Sequence, residues 1–188
     1  MRIIAGEYRG LRLRTLKSGK LRPTSDQLRE TLFDVLGIGV AGATFLDAYA
    51  GSGAVGIEAL SRGASKVTFI EQSRAIAEVI RENLMRLGIK SGFQILTTQA
   101  QTGIERLSQD GARFDYLFLD PPYDEIAEYH RILREIQRSS LLEASSLVIA
   151  EHSRHCILES QYGNLARIRL LRHGDSQLAF YRLGAPRL

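Results

Sequence analysis

The chain has few of the features that mark secreted, membrane-embedded or disulfide-stapled proteins. Its single cysteine, Cys156, excludes an internal disulfide. No apolar run approaches the roughly 18 residues that a membrane-spanning helix needs, and the charges that begin at Arg2 argue against a secretory signal. Repeats and low-complexity tracts are lacking as well. We therefore expect a cytoplasmic protein.

The composition that remains is that of one ordinary globular domain. The chain has 188 residues, of which 44% are hydrophobic and 24% are charged. This length is enough to bury a sizeable core and leaves room for a small appendage. The pattern described below predicts a basic extension over residues 1–40 and a larger domain over residues 41–188.

The net charge of +4 is concentrated at the N-terminus. Residues 1–30 contain eight basic and three acidic side chains, a local charge of +5, and the rest of the chain has a charge of −1. Such an arm is suited to a nucleic-acid backbone, although a solvated edge hairpin would have the same composition. The candidate RNA-binding residues are Arg2, Arg9, Arg12, Arg14, Arg22, Thr24 and Arg29.

The arm is predicted to form a short hairpin followed by a helix. Apolar residues 3–4 run into glycines, after which leucines alternate with Arg12 and Arg14, and this alternation places the two arginines on one face. Thr24 and Gln27 have the spacing of a capping box, so they predict the start of the helix, which stops at Gly37.

From residue 43 onward, strands alternate with helices. The strand candidates are 44–47, 66–71, 93–97, 114–120 and 147–151. Helical spacing over 73–87 separates two of them, and this alternation predicts a mainly parallel sheet covered on both faces. The last two strand-like runs, 167–171 and 177–182, have only a turn between them and predict an antiparallel hairpin. Seven strands in this α/β arrangement are typical of the S-adenosylmethionine-dependent methyltransferase fold, a Rossmann-like fold.

A glycine-rich turn follows the first strand of the domain, directly after Asp47. Glycines at 51 and 53 let the backbone approach a ligand closely. Glu71 ends the next strand 20 residues after the first of these glycines, where a carboxylate can accept both ribose hydroxyls of an adenosine. The turn predicts a nucleoside cofactor that is bound by Asp47, Ala50, Gly51, Ser52, Gly53 and Glu71.

The turn by itself leaves two cofactors open. Gly51, Gly53 and Gly56 also satisfy the fingerprint of a nicotinamide dinucleotide site. The length of the turn and the position of Asp47, which could receive an ammonium group, favour S-adenosylmethionine.

The second motif is the tetrapeptide Asp120-Pro121-Pro122-Tyr123 at the end of a buried strand. The two prolines fix their φ angles and have no N–H, so the carbonyls of Asp120 and Pro121 can face one target amine. Hydrogen-bond acceptors can hold the two hydrogens of an exocyclic amine. This favours the geometry in which the amine nitrogen attacks the methyl group of a sulfonium. Asp120, Pro121 and Tyr123 are therefore the candidate catalytic residues, with Tyr123 stacking on the base.

These motifs resemble those of the RsmD family of 16S ribosomal RNA guanine-N2 methyltransferases, nearly from end to end. The matching segments are 2–6, 9–10, 22–24, 29–30, 51–53, 58–64, 83–84, 120–123 and 174–176. The resemblance implies methyl transfer from S-adenosylmethionine to the N2 amine of one guanine, in RNA of the small ribosomal subunit or its particle, by an enzyme that we expect to be a monomer. Gln99 and Ala100 occupy the position that in many methyltransferases carries an acidic residue near the adenine.

Three other interpretations remain open. An adenine-N6 DNA methyltransferase uses the same tetrapeptide, a nicotinamide-dependent oxidoreductase would use the same glycine turn, and a non-catalytic RNA-binding protein would use the same arm. His152, His155 and Cys156 lack a second clustered ligand pair, so we predict no metal site.

Overall fold

The structure is a computed structural model that describes residues 1–15, 25–122 and 126–184. The helices are α1 (Asp26–Leu36), α2 (Ala54–Ser61), α3 (Arg74–Arg86), α4 (Ala100–Gln109) and α5 (Ile126–Arg138), with a 3-10 turn at Gly37–Val40. The strands are β1 (Thr44–Asp47), β2 (Lys66–Ile70), β3 (Phe93–Leu96), β4 (Tyr116–Leu119), β5 (Leu147–Ser153), β6 (Gln161–Tyr162), β7 (Leu165–His173) and β8 (Ser176–Leu183). No helix in the described ranges is long and apolar enough to cross a membrane.

All of these strands form one sheet in the order β3-β2-β1-β4-β5-β8-β7-β6. The first five are parallel, and β8, β7 and β6 are each antiparallel to a neighbour. The predicted parallel sheet with a terminal antiparallel hairpin is confirmed. The predicted count of seven strands is wrong by one, because Gln161–Tyr162 adds an edge strand that is too short to show an alternating pattern.

Side chains of the strands alternate between two hydrophobic clusters. Phe45, Phe69 and Phe118 pack in one cluster with α1, α2, α3 and residues of the N-terminal arm. Leu46 and Leu117 point to the other face, which α4 and α5 cover. Alternation along buried strands therefore divides the molecule into helix, sheet and helix layers.

The first part of the arm, residues 1–15, forms a hairpin that packs into the first cluster. Its two sides meet at one bridge between Arg2 and Arg12. Ile3 and Leu13 are buried and the arginines that flank Leu13 are exposed, as the alternation predicts, but Leu11 is exposed instead of buried. The extension and the larger domain thus share one hydrophobic cluster.

A buried carboxylate in α2 holds the arm. Glu58 accepts hydrogen bonds from the backbone amides of Ile4 (2.8 Å) and Ala5 (3.0 Å), and its charge is balanced by Arg62 at 2.9 Å. The next turn of α2 approaches so closely that a Cβ on Gly6 would lie 1.8 Å from the Ser61 carbonyl oxygen. The arm is therefore docked on α2 along its backbone.

Helix α1 begins one residue later than the capping-box prediction implies. Its N-cap is Ser25, whose hydroxyl accepts the Leu28 amide at 3.1 Å, and the prediction of Thr24 with Gln27 is wrong. Thr24 itself lies outside the described residues. The predicted stop at Gly37 is confirmed, because this glycine adopts a φ of 56°.

Candidate functional site

The site lies where the chain leaves β1 and β4 at the carboxyl edge of the sheet. β1 lies between β2 and β4, so the connections from β1 and β4 run to opposite sides and open a crevice. Asp47 is the last residue of β1, and Asp120 follows the last residue of β4. The two predicted motifs are therefore adjacent in space, with the Ala48 amide donating to the Phe118 carbonyl at 3.0 Å.

The glycine-rich turn is a tight bend between β1 and α2. Gly51 and Gly53 have φ angles of 53° and 81°, which disfavour residues with a side chain. The Ala50 amide donates to the Ile70 carbonyl of β2 at 2.9 Å, which ties the turn to the sheet. A Cβ built on Gly51 meets nothing within 4 Å, so this side of the turn is open to a ligand.

Gly56 allows α2 to pack directly on the sheet. A Cβ at this position would lie 2.3 Å from the Phe69 ring. Close packing of helix on strand is the role of the third glycine of the fingerprint.

Glu71 anchors the same turn from the end of β2. Its two carboxylate oxygens accept the amides of Gly51 at 3.0 Å and Ser73 at 2.7 Å. Partial burial raises the pKa of Glu71, and these backbone hydrogen bonds oppose the rise. The carboxylate is thus held beside the open face of the turn, within reach of a ribose.

Asp47 is almost entirely buried, with 2% of its surface exposed. Its Oδ2 accepts the amide of Gly56, in the first turn of α2, at 3.0 Å. Burial raises the pKa of Asp47 to about 7, the Gly56 hydrogen bond opposes this rise, and the charge of Glu71 adds to it. The carboxylate therefore occupies an anion-binding position at the N-terminus of α2.

Gln99 and Ala100 begin α4 beyond the end of β3. Gln99 is the exposed N-cap residue and its side chain makes no capping hydrogen bond, whereas Ala100 is buried in the second hydrophobic cluster. Of these two residues, only Gln99 therefore has a polar side-chain group that could form a hydrogen bond with the edge of an adenine.

The candidate catalytic tetrapeptide begins where β4 stops. Asp120 is half-buried and Pro121 is buried, and the Pro121 carbonyl accepts a hydrogen bond from the Tyr129 hydroxyl at 3.0 Å. Tyr123 lies outside the described residues. The sequence did not predict this contact between Tyr129 and Pro121. Nothing in the pattern of an amphipathic helix indicates which of its tyrosines reaches the end of a strand.

The structure divides the candidate RNA-binding residues into three groups. Four are exposed on the arm, namely Arg2, Arg9, Arg12 and Arg14. Arg14 also forms an ion pair with Glu82. Two others, Arg22 and Thr24, lie outside the described residues.

The prediction that Arg29 binds RNA is wrong. Its side chain is fully buried and forms ion pairs with Asp26 at 3.0 Å and Glu58 at 3.7 Å. A buried guanidinium that is used in this way cannot contact an RNA backbone. The sequence placed it in the basic arm, but helical spacing turns it toward α2.

Asn83 connects the arm to the glycine-rich turn. Its side-chain NH₂ donates to the carbonyls of Arg14 (3.0 Å) and Ser52 (3.1 Å), and its oxygen accepts the Arg14 amide at 2.8 Å. The sequence showed Asn83 only as part of the family resemblance. Long-range contacts of this kind leave no local pattern.

Within the part of the chain that the structure describes, no group of three or more histidine, cysteine, aspartate or glutamate residues could hold a metal ion. Burial lowers the pKa of His152, so its ring is neutral near pH 7.

Known methyltransferases resemble this chain, some over nearly its whole length and others over about two thirds of it. The "Putative rRNA methyltransferase YlbH" of Bacillus subtilis is 31% identical over 97% of this chain and 98% of that protein. The "Ribosomal RNA small subunit methyltransferase D" of Haemophilus influenzae is 42% identical, over 65% of this chain and 64% of that protein. The solved structure of "Putative methyltransferase yhhF from Escherichia coli" has a TM-score of 0.85 at 31% identity and covers 98% of both chains.

These similarities confirm the methyltransferase fold that the sequence predicts. The family described as "Conserved hypothetical protein 95" matches residues 1–182. The chain therefore belongs to this family, which is the RsmD family that its motifs indicate.

Proposed function

We propose that this protein transfers the methyl group of S-adenosylmethionine to the N2 amine of a guanine in 16S ribosomal RNA. The observation that carries the proposal is the position of Asp47. Its carboxylate occupies the N-terminus of α2, next to a second carboxylate, Glu71, at the mouth of a glycine-rich turn.

The two carboxylates distinguish between the cofactors that the sequence left open. A dinucleotide needs the N-terminus of the helix after the first strand for its pyrophosphate. Here Asp47 has taken that position, and a phosphate would meet two carboxylates with raised pKa values. A sulfonium nucleoside with an ammonium group carries positive charge, and this charge relieves the repulsion between the carboxylates of Asp47 and Glu71.

The residues of the turn fit such a ligand. Glu71 can accept the ribose hydroxyls, Gln99 can bond the adenine edge, and Asp47 can favour the ammonium group electrostatically. The open side of Gly51 leaves room for the nucleoside. When bound, S-adenosylmethionine supplies an electrophilic methyl group on a good leaving group.

Asp120 and Pro121 act on the amine. The carboxylate of Asp120 and the carbonyl of Pro121 each accept one N–H, which orients the nitrogen lone pair toward the methyl group. Asp120 can also receive the proton that the amine loses after transfer. We expect Tyr123, which lies outside the described residues, to stack on the guanine ring.

The names of the relatives and the exposed arginines support RNA as the substrate. The two curated relatives are called rRNA methyltransferases. Arg2, Arg9 and Arg12 are exposed on the arm, whose first residue contacts the turn: Met1 Sδ lies 3.8 Å from Ser52 Oγ. RNA bound along the arm would therefore lie beside the cofactor. We expect the enzyme to act as a cytoplasmic monomer on an assembling or assembled small-subunit particle.

The test is transfer of labelled methyl groups to purified small subunits, naked ribosomal RNA and duplex DNA. We expect label in RNA guanine, and none with Asp120→Ala. The matched control is Asp110→Ala, which removes an exposed carboxylate at the far end of α4. Label that appears only in DNA adenine would support the adenine-N6 alternative and overturn the proposal.

A further inference from the structure

Tyr129 connects the ends of two neighbouring strands at the catalytic tetrapeptide. It lies in the first turns of α5 with no exposed surface. Its hydroxyl lies 3.0 Å from the Pro121 carbonyl oxygen and 2.8 Å from that of Glu151. Because a hydroxyl has one hydrogen and both carbonyls only accept, the two oxygens share this donor.

The prolines explain why a side chain is needed here. The parallel ladder between β4 and β5 pairs Leu119 with Ala150 and then ends. Pro121 and Pro122 have no N–H with which to continue it. The Tyr129 hydroxyl therefore supplies, at the end of β5, a donor that the two prolines lack.

The same end of α5 also holds the segment that follows β1. Glu128 accepts a hydrogen bond from the Tyr49 hydroxyl at 2.6 Å. The ring of Tyr129 packs edge-on against His152, with ring centroids 6.4 Å apart. The start of α5 is thus attached to the ends of β1, β4 and β5, and the Tyr129 ring has little freedom to move.

We propose that Tyr129 is a positioning residue for methyl transfer. Its hydroxyl fixes the direction of the Pro121 carbonyl, so that the second acceptor direction of that oxygen faces the substrate amine. This inference rests on the proposed function, in which the Pro121 carbonyl accepts one N–H of the amine. Orientation of the amine affects the chemical step more than the binding of either substrate.

The test compares Tyr129→Phe with a matched variant, Tyr181→Phe. Tyr181 is also fully buried in the second hydrophobic cluster, and its hydroxyl donates to a backbone carbonyl, that of Glu159, at 2.9 Å. It pairs with Val148, near the opposite end of β5. Both variants therefore lose one buried hydroxyl and its hydrogen bonds, but only Tyr129→Phe loses them at the site.

We expect Tyr129→Phe to lower kcat about tenfold, with KM for RNA and Kd for S-adenosylmethionine within about twofold of wild type. Tyr181→Phe should keep the wild-type kcat. A wild-type kcat in Tyr129→Phe, or an equal loss in both variants, would overturn the inference. If the wild-type enzyme methylates no RNA, the proposed function fails instead.

A second measurement does not depend on activity. The chain has four prolines, so labelling proline carbonyls with ¹³C gives four signals. Loss of the hydrogen bond should shift one of them in Tyr129→Phe and none in Tyr181→Phe. Four unchanged carbonyl signals in Tyr129→Phe would contradict the proposed contact.

Discussion

Replacing Asp47 with asparagine should stabilise the protein above pH 7 and remove part of its pH dependence. The Asp47 carboxylate is 2% exposed, and burial raises its pKa to about 7 from an ordinary value of 3.8. The folded protein therefore holds this proton more tightly than the unfolded chain. Well below pH 4 the carboxyl is protonated in both states, and Asp47 does not lower the free energy of unfolding through its charge.

Between pH 4 and pH 7 the unfolded chain ionises first, so the free energy of unfolding falls as the pH rises. The interval from 3.8 to about 7 corresponds to about 4 kcal/mol. Asparagine can still accept the Gly56 amide through its side-chain oxygen, but it carries no charge. Asp47→Asn should therefore match the wild type near pH 4 and exceed it by a few kcal/mol at pH 8.

Urea unfolding at several pH values between 4 and 8 measures this difference. Asp110→Asn is the control, because its carboxylate is exposed and forms only a surface ion pair with Arg106. Parallel curves for the wild type and Asp47→Asn would contradict a raised pKa for Asp47, since they would mean that Asp47 titrates alike in the folded and unfolded states. The variant should also bind S-adenosylmethionine more weakly, as measured by calorimetry.

Three further predictions concern the arm and the cofactor turn. Gly6→Ala should destabilise the protein by about 1–3 kcal/mol and speed amide exchange in the arm, because the new Cβ would overlap the Ser61 carbonyl; unchanged exchange would contradict this contact. Arg12→Ala should reduce the salt dependence of RNA binding by about one phosphate contact, and Arg113→Ala, an exposed control before β4, should leave it unchanged. Glu71→Gln should weaken S-adenosylmethionine binding about tenfold without loss of fold, whereas wild-type affinity would exclude a ribose contact.

The sequence predicted well the features that depend on local patterns. Strand β1 begins and ends where the sequence predicts, because its buried side chains and the following turn residues lie next to each other in the chain. The glycine turn and the tetrapeptide each follow a parallel strand, and parallel strands bring their carboxyl ends to one edge of the sheet. These parts of the site needed no long-range information.

What the sequence could not show depends on contacts between distant segments. Arg29 lies in a basic stretch, yet it faces the buried Glu58 of α2 and not RNA. Asn83 on α3 and Tyr129 on α5 each hold backbone of the candidate site through a side chain, at Ser52 and Pro121 respectively. Charge counting and periodicity describe a residue's neighbours in the chain, whereas these roles are set by packing.

We propose that this protein methylates the N2 amine of guanine in 16S ribosomal RNA. The most direct test maps methylated nucleotides in ribosomal RNA from cells with and without the protein. We predict that cells without it lose N2-methylguanine at one position of 16S RNA, and that only an enzyme with Asp120 intact restores it. An unchanged set of N2-methylguanines in 16S RNA would contradict the account.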